Sequence, residues 1–158
     1  MRSNGANVIV HDVHGRILIV EHRDGEKRLS LPGGEVEEDE NFHEAAEREV
    51  WEETGLVIHH LHFIAEMVQR IPKSKGGGKG KLHLFETGCF WGEFRTVPSN
   101  DILSVQFMSF PEISSRKDEF GLGYLRLILQ FMRCKDKLDT MSVYGELSNQ
   151  VEYGGIKV

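Results

Sequence analysis

The sequence contains few of the residues that mark specialised classes of protein. Its two cysteines, Cys89 and Cys134, form no CxxC pair and have no zinc-type spacing to histidine, so a disulfide framework and a zinc finger lack support. Its longest apolar runs, such as residues 17–20 and 127–129, are far shorter than a bilayer span, and no signal-like segment opens the chain. We therefore expect a cytoplasmic protein that does not enter a membrane.

The composition excludes disordered and fibrous architectures as well. With 158 residues, of which 39% are hydrophobic and 28% charged, the chain lies near the globular average and is long enough to bury one core. The last twenty or so residues show no clear period, and no internal repeat is present. We predict a single domain over residues 1–158.

The net charge of −6 is unevenly distributed along the chain. Ten acids and one base fall between Glu35 and Glu53, which gives −9, so the remaining 15 acids and 18 bases give +3. Such a concentration of like charge argues against a general nucleic-acid-binding surface and favours a bound divalent cation.

Periodicity and turn residues predict the order of elements. Segments rich in β-branched or alternating apolar residues predict strands over residues 6–13, 16–21, 57–68, 81–91 and 105–110. Apolar residues at helical spacing predict helices over residues 42–54 and 122–132. A tight turn at His14-Gly15 joins the first two strands, and the first strand is expected in the core. Since the elements lack regular βαβ alternation, we predict an α/β fold with a mixed β-sheet flanked by helices.

The first predicted helix has sequence signals at both ends. Asn41 is a favourable N-cap, and Glu44 stands at the third helical position, as a capping box requires. Gly55 suits the residue that follows the last turn. Before the helix, Pro32 marks the entry to a predicted loop through residues 33–34.

The most informative segment overlaps this helix. Residues 34–56 read GEVEEDENFHEAAEREVWEETGL. This resembles the Nudix box, the signature of Nudix hydrolases, and is complete at its defining positions, namely Gly34, Glu40, Arg48, Glu49, Val50, Glu52, Glu53, Gly55 and Leu56. The one departure is Asp39, where many members carry glycine, and it does not affect the carboxylates. The resemblance implies a Nudix-like α/β/α sandwich.

The spacing of three glutamates in this segment predicts a metal site. At 3.6 residues per turn, Glu49, Glu52 and Glu53 fall within an arc of about 100° on one helix face. Ala45 and Ala46 occupy the preceding turns of the same stripe, so the carboxylates point partly inward. Like charges placed so closely raise each other's pKa unless a cation neutralises them, and hard divalent ions take oxygen ligands. We predict that these glutamates bind Mg²⁺, with Mn²⁺ as an alternative.

Resemblance to the family implies further roles. A carbonyl of Gly33 or Gly34 would complete the metal sphere, and Arg48 would orient carboxylates, although a surface ion pair of Arg48 with Glu44 is an alternative. The resemblance also implies hydrolysis of a nucleoside diphosphate linked to another moiety, with a carboxylate accepting the proton of the attacking water.

The general base has two candidate positions. In some members it is a glutamate of the box, which favours Glu52 or Glu53 here. In others it comes from a loop before the penultimate strand, which in this chain points to Asp101. We predict the helix position and keep Asp101 as the second candidate.

A lysine- and glycine-rich segment, residues 73–81, is a candidate for binding substrate phosphate. Its glycines allow movement, and cations beside an acidic site would attract a polyphosphate. The same composition suits a soluble hairpin connection. The lysines in question are Lys73, Lys75, Lys79 and Lys81.

The sequence indicates the substrate less clearly than it indicates the type of reaction. Family members that act on coenzyme A or NADH carry further motifs beside the box, and these motifs are not found here. The short length favours a nucleoside or deoxynucleoside triphosphate or a modified nucleotide as the substrate. In the family, a proline sixteen residues beyond the box is associated with ADP-ribose hydrolysis, and Pro72 stands at that place. An ADP-ribose or nucleotide-sugar diphosphatase is therefore the alternative. A non-catalytic nucleotide-binding module is the alternative of another class, but such modules usually lose box carboxylates and none is lost here. The exposed side of the second predicted helix could serve a homodimer.

Overall fold

A computed structural model describes residues 4–71, 73–95, 101–135, 152–153 and 156–157. Its strands are β1 (Gly5–Val10), β2 (Ile17–His22), β3 (Leu29–Ser30), β4 (Gly33–Glu35), β5 (Val57–His59), β6 (His62–Arg70), β7 (Lys79–Thr87), β8 (Cys89–Trp91), β9 (Ile102–Met108), β10 (Glu152–Tyr153) and β11 (Ile156–Lys157). Its helices are α1 (Phe42–Thr54), α2 (Phe110–Ser115) and α3 (Leu122–Lys135), with short 3₁₀ turns at Lys73–Lys75 and Lys117–Glu119.

Strand pairing forms three sheets in the described part of the chain. The largest has six strands in the order β10-β11-β6-β7-β1-β4, the second has the order β3-β2-β9, and β5 pairs with β8. Within the largest sheet β1 is parallel to β7 and antiparallel to β4, so the sheet is mixed. The three-residue strand β4 lies at its edge.

Helices cover both sides of the sheets. On one side α1 buries Ala46 and Val50 against Val8 of β1, and on the other side Ile128 of α3 belongs to the same core cluster as Ile9 of β1. Strand β1 is buried along its whole length, as predicted. The predicted α/β/α sandwich with a mixed sheet flanked by helices is therefore confirmed.

Helix α1 begins and ends at the predicted residues. The Asn41 side chain accepts hydrogen bonds from the backbone of His43 and Glu44, and the Glu44 carboxylate accepts one from the Asn41 backbone, which completes the capping box. Gly55 ends the helix in the left-handed conformation, with φ of 84°. These local signals lie within one helical turn of each end, so they are legible in the sequence.

The structure corrects several predicted strands. The segment predicted as one strand over residues 57–68 is divided into β5 and β6 by a turn in which His60 has a φ of 50°. The segment over residues 81–91 is likewise divided into β7 and β8. Residues 33–34, predicted as loop, belong to strand β4. The first two strands are joined by a turn, as predicted, but they enter different sheets.

Helix α2 was not predicted, and the strand expected to reach residue 110 ends at Met108. Ser109 caps this helix, with Glu112 completing a second capping box. The Ser-x-x-Glu spacing could have revealed it, but the preceding apolar run favoured a longer strand.

The sequence of the C-terminal segment shows no periodicity, but two short strands, β10 and β11, form there, and β11 pairs with β6.

Two features of the sequence lie outside the described residues. They are Pro72, which is associated with ADP-ribose, and residues 96–100, which precede Asp101. No helix among the described residues is long and apolar enough to span a membrane. A single domain over residues 1–158 and a homodimer through α3 stay predictions.

Candidate active site

The last two turns of α1 place three carboxylates beside β4. Glu53 is the most enclosed, and its Oε2 accepts a hydrogen bond of 3.0 Å from the backbone N–H of Gly33. The Glu49 carboxylate lies directly against the Cα of Gly34, so closely that a Cβ at this position would overlap the carboxylate. The Glu52 side chain is half exposed. The structure thus brings the predicted glutamates and glycines together.

Arg48 holds the carboxylates of this site in place. Its guanidinium donates to both oxygens of Glu40, at 2.6 and 3.0 Å, and to the Glu35 carbonyl at 2.8 Å. It also donates to Glu49 at 2.9 Å and to Glu52 at 3.1 Å. The alternative pairing with Glu44 is not formed, because the Glu44 carboxylate caps the start of α1. This geometry suits an arginine that orients carboxylates.

Burial and like charge disturb the titration of the site. Burial, reinforced by the nearby Glu49 and Glu52 carboxylates, raises the pKa of Glu53 to about 8, against the opposing effect of the Gly33 N–H. Burial also raises the pKa of Glu49, although Arg48 opposes this rise. The hydrogen bonds to Glu40 raise the pKa of Arg48 further above its usual range. In the absence of a cation, Glu53 is therefore largely protonated at neutral pH.

This shift predicts how stability depends on pH in the metal-free protein. The folded protein binds the Glu53 proton more tightly than the unfolded chain does, so this proton adds to the free energy of unfolding. Its contribution is fully present below about pH 4.5 and is lost as the pH rises through about 8. Between pH 6 and pH 8.5, in the presence of a chelator, we expect the melting temperature to fall by about 5 °C more in the wild type than in Glu53→Gln. Equal slopes in thermal denaturation of the two proteins would contradict the assignment.

The donor set fits a hard divalent cation. Carboxylate and backbone carbonyl oxygens are the ligands that Mg²⁺ accepts, and the enclosed Glu53 lacks a compensating positive charge. Within the described residues, no three acidic, histidine or cysteine side chains are grouped closely enough to enclose an ion as they stand. The reason is visible in the contacts, since Arg48 draws Glu49 and Glu52 towards itself while Glu53 bonds to Gly33.

Asp101 lies apart from these contacts. Its backbone carbonyl accepts a hydrogen bond from Arg23 at 2.9 Å, and its carboxylate interacts with His22, at the end of β2. None of the hydrogen bonds described for Glu49, Glu52 or Glu53 involves it. Its candidacy as general base stays a prediction.

A cavity of about 360 Å³, here called the side cavity, opens next to the glycine pair of β4, Gly33 and Gly34. Among the four candidate lysines, Lys75 lines the side cavity, whereas Lys79 and Lys81 line a separate groove with Asn4 and Val68. Lys81 also pairs with Glu66 at 3.1 Å. The four candidate lysines therefore do not line one common pocket. The residues that line the side cavity are Gly5, Asn7, Gly33, Gly34, Glu35, Gln69, Arg70, Ile71, Lys75, Leu82 and Tyr124.

Two polar residues of the side cavity were missed in the sequence. Asn7 is buried within β1, where its amide donates to the Pro32 carbonyl at 3.4 Å and interacts with Tyr124. A polar residue inside an otherwise apolar strand is a signal that could have identified Asn7. Tyr124 reaches the cavity from α3, close enough for the Glu53 charge to contribute to the raised pKa of its phenol, after the larger effect of burial. No local pattern indicates that approach.

Comparison with known proteins agrees with the fold and the motif. The family model described as the NUDIX domain matches residues 1–129. The phosphatase NudJ of Escherichia coli is 46% identical over 57 residues, which make up 35% of this chain and 37% of NudJ, so the match spans little more than a third of that relative.

Solved structures extend the similarity over most of the chain. The MutT protein of Bacillus halodurans has a TM-score of 0.64 at 22% identity, covering 80% of this chain and 79% of its own. A Nudix hydrolase of Nitrosomonas europaea has a TM-score of 0.68 at 18% identity, covering 85% and 90%. A bifunctional NMN adenylyltransferase/ADP ribose pyrophosphatase of Francisella tularensis has a TM-score of 0.61 at 22% identity, covering 84% and 41%. Identities this low show the fold, whereas the family model covers most of the sequence. The chain therefore belongs to the Nudix family.

Proposed function

We propose that this protein is a Mg²⁺-dependent hydrolase that cleaves the diphosphate linkage of a nucleoside diphosphate joined to another group. The observation that carries the proposal is the enclosed Glu53, flanked by Glu49 and Glu52 and held against the glycine pair of β4. A protein rarely buries clustered carboxylates unless a cation or a reaction uses them. The favoured substrate is a nucleoside or deoxynucleoside triphosphate or a modified nucleotide.

The residues of the site have distinct roles in this reaction. Glu49, Glu52 and Glu53, with a carbonyl of Gly33 or Gly34, would hold Mg²⁺, or Mn²⁺ in its place. The bound ion supplies charge neutralisation at the phosphate oxygens. Glu52 or Glu53 accepts the proton of the attacking water, whose oxygen forms a new bond to phosphorus while the bridging P–O bond breaks. Arg48 keeps Glu49 and Glu52 in position.

Two other functions have some support. The Francisella tularensis neighbour carries an ADP ribose pyrophosphatase, which keeps ADP-ribose and nucleotide sugars as alternative substrates. A non-catalytic nucleotide-binding module is the alternative of another class, and the complete carboxylate set favours the enzyme. A cytoplasmic location is part of the proposal.

A substrate screen tests the proposal directly. The full chain is incubated with Mg²⁺ and, separately, nucleoside triphosphates, nucleotide sugars, ADP-ribose and dinucleoside polyphosphates, and the released nucleoside monophosphate, pyrophosphate and phosphate are measured. We expect nucleoside triphosphates to be hydrolysed and the reaction to stop when the metal is chelated. Binding of nucleotides without turnover of any of them would favour the regulatory module instead.

Metal binding can be tested without turnover. Millimolar Mg²⁺ should raise the melting temperature of the metal-free protein by about 5 °C, because an ion that binds the folded state alone stabilises it by mass action. Glu53→Gln should remove most of that rise. Glu47→Gln is the matched control, because Glu47 is an acid of the same helix that pairs with His43 away from the site. An unchanged wild-type melting curve would count against the metal site.

A further inference from the structure

The side cavity has a polar composition that the metal site does not explain. It begins at the backbone of Gly33 and Gly34 and extends to the end of β6, where Arg70 follows Gln69. Its volume of about 360 Å³ lies within the range of small-molecule sites, which is roughly 300–1,000 Å³. A ligand whose diphosphate lies at the carboxylates would therefore have room to extend into it.

The charges that line this cavity are mostly positive. Arg70 and Lys75 are its two bases and Glu35 is its one acid, although the neighbouring residues 35–53 carry a charge of −9. Among the described residues, neither Arg70 nor Lys75 forms an ion pair. Other bases, such as Arg116 and Lys81, are paired with glutamate. Two unpaired cations beside a cavity are available to an anionic ligand.

The chemistry of these two side chains suits phosphate in particular. A guanidinium presents parallel N–H groups that match two phosphate oxygens, and an ammonium adds a mobile point charge. Both lie on the edge of the cavity that the end of β6 and the following turn provide. The glycines of residues 76–78, all with positive φ, follow Lys75 directly and let the turn adjust around a ligand.

We propose that Arg70 and Lys75 form an anion-binding end of the side cavity, which takes a phosphate of the substrate other than the diphosphate held at the carboxylates. This assigns the substrate class as nucleotides with a third phosphate, in preference to those whose second moiety is a neutral sugar. The assignment rests on the proposed function, because it presumes a diphosphate at the carboxylate site. It narrows the four candidate lysines to Lys75 and adds Arg70.

Steady-state kinetics with two substrates test the assignment. Arg70→Gln/Lys75→Gln should raise the KM for ATP about tenfold, with kcat changed less than threefold, because the contact exists in both the ground and the transition state. The KM for ADP-ribose, if that compound is turned over, should change less than twofold. High salt should raise the KM for ATP more in the wild type than in the double variant, because salt screens an attraction to the two cations that the double variant no longer has.

Two control variants locate the effect. Lys117→Gln removes a positive charge from a 3₁₀ turn elsewhere on the molecule and should behave as the wild type. Lys73→Gln removes one from the same turn as Lys75, but outside the cavity lining. If Lys73→Gln raised the KM for ATP as much as Lys75→Gln does, the charge of the loop and not the cavity would be responsible, and the proposal would be overturned.

A binding measurement separates this proposal from the hydrolase function. Inorganic tripolyphosphate is titrated into the metal-free wild type and the double variant by calorimetry, at low salt. We expect at least fivefold weaker binding by the double variant and no change for Lys117→Gln. Equal affinity for the wild type and the double variant would overturn the anion site even if ATP is hydrolysed. Failure to hydrolyse any nucleotide would remove the proposed function while leaving the titration to decide the site.

Discussion

Glu53→Gln is expected to lower turnover by at least a hundredfold while the protein stays folded. The amide keeps the size of the carboxyl group and can still accept the Gly33 N–H, but it removes a negative metal ligand and a candidate base. Glu52→Gln should lower kcat by a similar factor, although Glu52 is half exposed, because it belongs to the same arc of carboxylates. The measurement is kcat with saturating Mg²⁺ and nucleotide, beside a circular dichroism spectrum.

Two controls make this expectation decisive. Glu47→Gln neutralises an exposed acid of α1 that pairs with His43, so it should leave kcat within twofold of the wild type. Asp101→Asn should be mild, because its carboxylate interacts with His22 and not with the α1 glutamates. If Asp101→Asn were the most damaging change and Glu52→Gln were mild, the base would belong to the loop before β9.

Gly33→Ala is expected to lower stability more than any other conservative change at the site. Gly33 has a φ of 151°, which side chains rarely adopt, and a Cβ there would lie 2.2 Å from the Ala6 carbonyl oxygen and 2.4 Å from Asn7 Nδ2. Because the first of these contacts is with backbone, β1 and β4 would have to separate. We expect a loss of about 3 kcal/mol in the free energy of unfolding and a melting temperature lower by about 10 °C.

Gly76→Ala provides the comparison. Gly76 also has a positive φ, of 96°, but a Cβ there would meet nothing within 4 Å. This variant should therefore show only the backbone strain, about 1 kcal/mol. Both variants are compared by urea denaturation with the slope of the transition held in common. Equal losses at the two positions would show that the close packing of β4 on β1 contributes little.

Local signals account for what the sequence predicted well. The boundaries of α1 depend on Asn41, Glu44 and Gly55, all within a turn of its ends, and the convergence of its carboxylates follows from helical spacing alone. The buried character of β1 was legible because the strand is almost continuously apolar.

The parts that could not be predicted depend on contacts between distant segments. No local pattern indicates that β1 lies parallel to β7, about 75 residues later, or that β5 and β8 leave the main sheet to pair with each other. The side cavity likewise combines residues from β1, β4, β6 and α3, so its composition emerges only when these elements meet. The four lysines looked equivalent in the sequence, and the fold separates Lys75 from Lys79 and Lys81.

The position of β4 at the edge of the six-stranded sheet gives the site residues a second consequence. An edge strand presents unpaired backbone groups to which another chain can add. Here the outward N–H of Gly33 is bonded by Glu53 and the outward carbonyl of Glu35 is bonded by Arg48, so side chains of α1 occupy the places that an added strand would use. The two side chains proposed for the hydrolytic site thus also cover the open edge of β4, and replacing Glu53 or Arg48 is expected to lower solubility as well as activity.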